Sequence, residues 1–160
     1  MSEGGIERAL LEGARLERGD DVLVLGDGPL VFGAHDLVGD GWVYVVRSQV
    51  DELEELFAEA HTAGASGLAY LVGSTPVLPL PDAAVVAALG RIAADDGSLG
   101  AAAQELARVL AAQGRVALAE GDGSAGEALA GALEGAGFGG IELAEPVEPA
   151  GEIVVTAHLA

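Results

Sequence analysis

The stretch Asp20-Asp21-Val22-Leu23-Val24-Leu25-Gly26-Asp27-Gly28 constrains this chain more than any other. Four apolar residues stand between a pair of acids and a glycine-rich turn. A run that is apolar at every position, rather than at alternate ones, belongs to a strand covered on both faces, and such strands are parallel members of an α/β sheet. In an open sheet of that kind a nucleotide-like ligand sits at the carboxyl end of the strands. Gly26 and Gly28 admit backbone angles closed to other residues and let a ligand approach the main chain. A phosphate-binding turn would want a further glycine where the chain reads Pro29-Leu30-Val31. The site is half written.

The rest of the chain alternates in the same style. Ile6, Ala9, Leu10, Ala14 and Leu16 recur at helical spacing and predict an amphipathic helix over Gly5 to Glu17. Leu30 to Val38 predicts a second helix, closed by Gly39-Asp40-Gly41, and Trp42 to Val46 a strand of β-branched and aromatic residues. Ser48 is the expected N-cap of a helix through Leu53, Leu56, Phe57 and Ala60 that stops at Gly64. Leu68 to Val72 reads as a strand, and Pro76, Pro79 and Pro81 hold the next segment extended. Ala83 to Leu89 is a further buried strand, Ser98 to Ala112 a helix stopped by Gly114, and Val116 to Ala119 a fifth strand. Gly126 to Gly135 is a glycine-weakened helix. Ile141-Glu142-Leu143 and Ile153 to Thr156 close the chain as strands, joined by a link too short for a helical crossover, so this last pair is expected to be antiparallel. The order predicts one domain over residues 1–160, a three-layer α/β sandwich without internal repeats.

Composition narrows the function classes. The formal net charge is -19, all 7 basic residues are Arg, and no Lys occurs. That field repels nucleic acid and anionic membrane, since phosphate contacts need clustered cations. With Cys 0, no disulfide, thiol nucleophile or cysteine metal site is available. No apolar run approaches the roughly 18 residues of a membrane span, and the residues after Met1 carry neither a basic region nor a signal-like segment. A cytoplasmic protein is the expectation. The acidity suits a saline cytoplasm or a GC-rich genome equally.

Three phrases in the right order resemble the class I SAM-dependent methyltransferases. Arg18 to Gly28 is similar to that family's first motif, Thr75-Pro76-Val77-Leu78-Pro79-Leu80-Pro81-Asp82-Ala83 to its loop before the fourth strand, and Ala107-Arg108-Val109-Leu110 with Gly114-Arg115-Val116-Ala117-Leu118 to its phrase before the fifth. The resemblance covers nearly the whole chain. It implies a Rossmann-like, seven-stranded, mostly parallel sheet with an antiparallel last strand, and S-adenosyl-L-methionine (SAM) as the cofactor. On that basis the cofactor-binding candidates are Gly26, Asp27, Gly28, Arg47, Ser48, Gly73 and Ser74.

The departures bear on function. The family's acid inside the first strand falls on Val24, and its third glycine on Leu30. The acid that accepts hydrogen bonds from the ribose hydroxyls falls on Arg47, the acid near the adenine on Gly73-Ser74, and the "phenylalanine-aspartate" by the fourth strand is replaced by Ala83-Ala84. An Arg has donors only and cannot take an acceptor's place. Together these departures predict weakened or lost SAM binding and a binding or partner role, with a homodimer or another protein as partner. Two other readings stand beside it. One is an active methyltransferase on a small molecule, holding SAM through the backbone of Gly26 and Gly28. The other is an NADP-like or phosphorylated nucleotide held by Arg47, the usual device for a 2′-phosphate.

No catalytic residue is assigned. His35, His61 and His158 lie in three different elements without metal-ligand spacing, so no metal is expected. His35 and Asp36, adjacent on a helix, are expected to point apart. Ser74-Thr75 reads first as turn chemistry before Pro76. Glu120 and Asp122 are candidates by location alone, and the nucleophile-elbow pattern of hydrolases is absent.

Overall fold

The computed structural model describes residues 5–25, 28–73, 77–92, 98–120, 126–144 and 153–159. Five helices and seven strands follow one another as α1 (Gly5–Ala14), β1 (Val22–Leu25), α2 (Gly28–Val38), β2 (Val43–Arg47), α3 (Val50–Ala63), β3 (Leu68–Val72), β4 (Val85–Arg91), α4 (Ser98–Val109), β5 (Leu110–Glu120), α5 (Gly126–Gly135), β6 (Phe138–Leu143) and β7 (Ile153–Leu159). The strands form a single sheet in the order β3-β2-β1-β4-β5-β7-β6. The pairings from β3 through β5 are all parallel, and β7 runs antiparallel to both β5 and β6. The expected closing hairpin is present.

The unbroken apolar run of β1 is explained by its place between β2 and β4. All four residues are buried, and successive side chains enter opposite layers. Val22 and Val24 join Leu10, Val31, Val45, Leu53 and Leu89 beneath α1, α2 and α3. Leu23 and Leu25 join Leu106, Leu118, Leu129 and Val155 beneath α4 and α5, with Leu78 and Leu80 of the proline segment completing that layer. Among the described residues no helix is long and apolar enough to cross a membrane.

Several local expectations are corrected. The first helix ends at Ala14 rather than Glu17, because Arg15 takes a left-handed φ of 53° and turns the chain out of the helix. Helix α2 begins at Gly28, so the glycine turn runs straight into it; Pro29 is tolerated there because first-turn N–H groups have no helical partner. Trp42 precedes β2, its backbone N–H donating to Asp21 Oδ1 at 3.0 Å. The N-cap of α3 is Gln49, without a side-chain cap bond, rather than Ser48. Its other end is as expected: Gly64 caps it at φ 72°. Helix α4 stops at Val109, and the chain enters β5 at Leu110 instead of continuing to Ala112. His35 and Asp36 do not point fully apart, since His35 Nδ1 lies 3.9 Å from Asp36 Oδ1 while Nε2 meets the Ser66 carbonyl at 2.6 Å.

Candidate functional site

Parallel strands deliver their carboxyl ends to one edge of the sheet, and this edge gathers the described candidates. Arg47 is the last residue of β2, half-buried, and Ser48 follows it, exposed. Val72 at the end of β3 lies in register with Arg47, and the Gly73 N–H donates to the Arg47 carbonyl at 2.9 Å. Gly28 opens α2, shortly after β1 ends at Leu25. Gly26, Asp27 and Ser74, with Thr75 and Asp122, lie outside the described residues, and of Glu120 the structure describes only its place at the end of β5.

Two features of this edge escaped the sequence reading. Gly90 pairs with Leu25 of β1 on one side and Leu118 of β5 on the other, at φ 142°. A Cβ there would run into the carbonyl and Cα of Leu25, so only glycine lets β4 close against the end of β1. The signal was in the chain: Ala88-Leu89-Gly90 repeats the apolar-then-glycine form of Val24-Leu25-Gly26. Arg91 follows and meets Glu7 of α1 at 3.7 Å, so the first turn of α1 reaches over the same edge. Arg47 and Arg91 thus place two guanidinium groups on the strand ends flanking β1.

The positions where the family's other groups would fall are also visible. The Val24 side chain is fully buried in the helix-covered layer, and Leu30 is buried in the same cluster. Neither has a polar partner to offer a ligand.

Beside the edge, the proline segment is pinned to α4. Arg108 donates from Nε to Glu105 Oε1 at 2.7 Å and from Nη2 to Oε2 at 2.8 Å. Its Nη1 donates to Asp82 Oδ1 at 2.8 Å, and Nη2 also reaches the Leu78 carbonyl at 3.1 Å. Glu105 Oε2 in turn accepts the Leu78 N–H at 2.7 Å. Arg108 holds the Glu105 carboxyl below the usual carboxylate range, with the Leu78 N–H adding to the effect and partial desolvation opposing it. Two of the phrases that carried the resemblance therefore touch each other, Asp82 from one and Arg108 from the other. Among the described residues no three His, Asp or Glu side chains cluster as metal ligands.

No family model and no curated protein matches the sequence. Solved structures match the fold. A SAM-dependent methyltransferase from Aquifex aeolicus superposes over 99% of this chain and 93% of its own, with a TM-score of 0.76 and 19% identity. The chain has the class I SAM-dependent methyltransferase fold. Geranyl diphosphate C-methyltransferase from Streptomyces coelicolor, solved with S-adenosyl-L-homocysteine, gives a TM-score of 0.83 at 15% identity over 99% of this chain and 76% of that one. A methyltransferase from Haloferax volcanii in complex with the Trm112 methyltransferase activator gives 0.77 at 17% identity over 97% and 89%. At these identities the methyltransferase-like likeness is one of fold, and fold hosts many activities.

Proposed function

We propose that this methyltransferase-fold chain binds SAM weakly or not at all and acts as a binding subunit with a protein partner. The observation that carries the reading is Arg47, a donor-only side chain at the end of β2 where the resemblance calls for an acceptor of ribose hydroxyls. Each lost charge-assisted bond is worth roughly 1.5–3 kcal/mol. The sulfonium of SAM is itself positive and gains nothing from Arg47, whereas the charge of Arg91 at the same edge is offset by Glu7. The residues present do not match the way that family holds SAM, and no methyl-transfer step follows from them.

The partner role is supported by the outer edge of the sheet. β3 is a terminal strand, apolar throughout; its last residue Val72 is exposed, as are Phe57 of α3 and Val77. Phe57 packs edge-on against Tyr70 with ring centres 5.6 Å apart. An apolar strand edge without charge or proline is one that another chain can cover. The neighbouring helix α3 exposes Asp51, Glu52, Glu54, Glu55 and Glu59, which favours a basic partner over a second copy of this acidic chain. The Haloferax volcanii protein, similar in fold, is held by an activator protein.

The second reading, an active SAM-dependent methyltransferase on a small molecule, is favoured by the SAM-dependent enzymes of the same fold. A thermal-shift titration with SAM, S-adenosyl-L-homocysteine and NADPH separates the readings. A ligand at about 100 times its Kd stabilises by about 2.7 kcal/mol, roughly 5–10 °C at this chain length. The expected result is no saturable shift with SAM or its demethylated product. A saturable shift with either overturns the proposal in favour of the enzyme, and a shift with NADPH alone makes Arg47 a phosphate ligand.

A further inference from the structure

The opposite edge of the sheet, at the amino ends of the parallel strands, carries a cavity of about 400 Å³. Arg15, Gln113, Arg115, Glu142, Thr156 and His158 are among the residues that line it. Three segments reach it through irregular backbone. Arg15 leaves α1 at φ 53°. Gln113, at φ 65°, lies where the pairing of β5 with β4 jumps from Leu110 to Arg115. Gly140, at φ 60°, lies in the register shift of β6 on β7 between Gly139 and Glu142. A Cβ on Gly140 would collide with the His158 imidazole, so the glycine leaves room for that ring. Among the described residues three non-glycine residues hold positive φ (Arg15, Ala83 and Gln113), and two of them line this one cavity. Such angles cost free energy and collect where a site must be held, and sheet irregularities re-aim side chains.

The charges are arranged around a fixed guanidinium. Arg115 donates from Nε to the Ala14 carbonyl at 2.9 Å, and from Nη2 to the Arg15 carbonyl at 3.2 Å and Asp20 Oδ2 at 2.9 Å. Among the described residues its Nη1 makes no hydrogen bond, and the side chains of Arg15, Gln113, Glu142, Thr156 and His158 make neither hydrogen bond nor ion pair. Asp20 offsets Arg115, and Glu142 is the one carboxylate in the lining. In a chain of net charge -19 with 7 arginines, two of them meet here with three uncharged or histidine donors.

We propose that this cavity binds a small hydroxylated organic oxyanion. The carboxylate or phosphate sits against Arg15 and the Nη1 of Arg115, whose forked donors suit such groups, and the hydroxylated part faces Glu142 and Thr156. The site is independent of the ligand edge on the other side of the sheet, and its volume suits a small metabolite.

The test is an NMR titration of the full chain with inorganic phosphate, glycerol 3-phosphate and malate. Saturable shifts at the Gln113, Thr156 and His158 amides are expected, and comparing the last two probes distinguishes phosphate from carboxylate. Arg15→Gly removes the guanidinium and relieves the left-handed backbone. It should weaken binding about tenfold, as the loss of one charge-assisted hydrogen bond does, while the melting temperature holds or rises. Arg15→Gln, which keeps a polar side chain, should weaken binding to a similar degree and covers the case in which the glycine variant unfolds. No saturable shift from any probe at millimolar concentration, or undiminished binding by both variants, overturns the proposal.

Discussion

Gly90→Ala is the substitution whose cost follows most directly from the geometry. Gly90 stands in β4, the middle strand of the seven, paired with Leu25 and Leu118, at φ 142°. That backbone region is almost closed to residues with a Cβ, and holding alanine there costs about 1–3 kcal/mol. The added carbon would also overlap the Leu25 carbonyl and Cα, which are backbone atoms inside a paired strand and cannot swing aside as a flexible side chain can. The two effects together should reach at least about 3 kcal/mol, or roughly 6–12 °C of melting temperature at this chain length. Urea unfolding followed by circular dichroism measures it, with an unchanged m-value showing that the surface exposed on unfolding is the same. Gly131→Ala is the control. Gly131 lies within α5 and is exposed, with open space where its Cβ would stand, so alanine should stabilise by about 0.5–1 kcal/mol. A loss below about 1 kcal/mol for Gly90→Ala would refute the close approach of β4 to the end of β1 and the role of glycine in shaping that edge.

Two further outcomes follow from electrostatics. Glu105 has a folded pKa below its ordinary value, chiefly because Arg108 donates to it. Its contribution to stability is therefore complete above the usual carboxylate pKa, near 4.3, and is lost as pH falls through the lower folded value. Glu105→Gln should flatten that part of an acid-unfolding curve, and an unchanged curve would show that the clamp on the proline segment carries no linked stability. The net charge of -19 makes self-repulsion a whole-molecule cost. Because salt shortens the Debye length to about 10 Å at 0.1 M, the melting temperature should rise with added sodium chloride, and a fall on salt addition would contradict this.

Much of the architecture was legible because local chemistry and tertiary need coincide. Val22 to Leu25, Leu68 to Val72 and Gly126 to Gly135 could each be read within a residue of their observed spans, since apolar runs and glycine stops do not depend on distant partners. Boundaries failed where a distant partner decides. Arg15 ends α1 in a left-handed turn that glycine or asparagine would ordinarily mark; the carbonyls exposed there are taken by Arg115, a hundred residues away, through the bonds to Ala14 and Arg15. Leu110 leaves the helical pattern because β4 pairs with it at Val85. Ser48 had the right chemistry for a cap, but the chain turns into α3 one residue later.

The chain by itself determined the layers and the order of strands and helices, because burial on both faces demands unbroken apolar runs and turns demand glycine. It also put Val24, Leu30 and Arg47 at the positions where the resemblance calls for an acid, a glycine and an acceptor, since a residue's identity needs no fold to be read. Tertiary structure alone decided what stands beside what. It set Gly90 against Leu25 at one edge of the sheet, joined Asp82 to Arg108 beside it, and gathered Arg15, Gln113, Arg115 and His158 at the other. The physical reason is that these neighbours lie far apart in sequence, and only the pairing register of the sheet and the packing of helices on it convert that separation into contact.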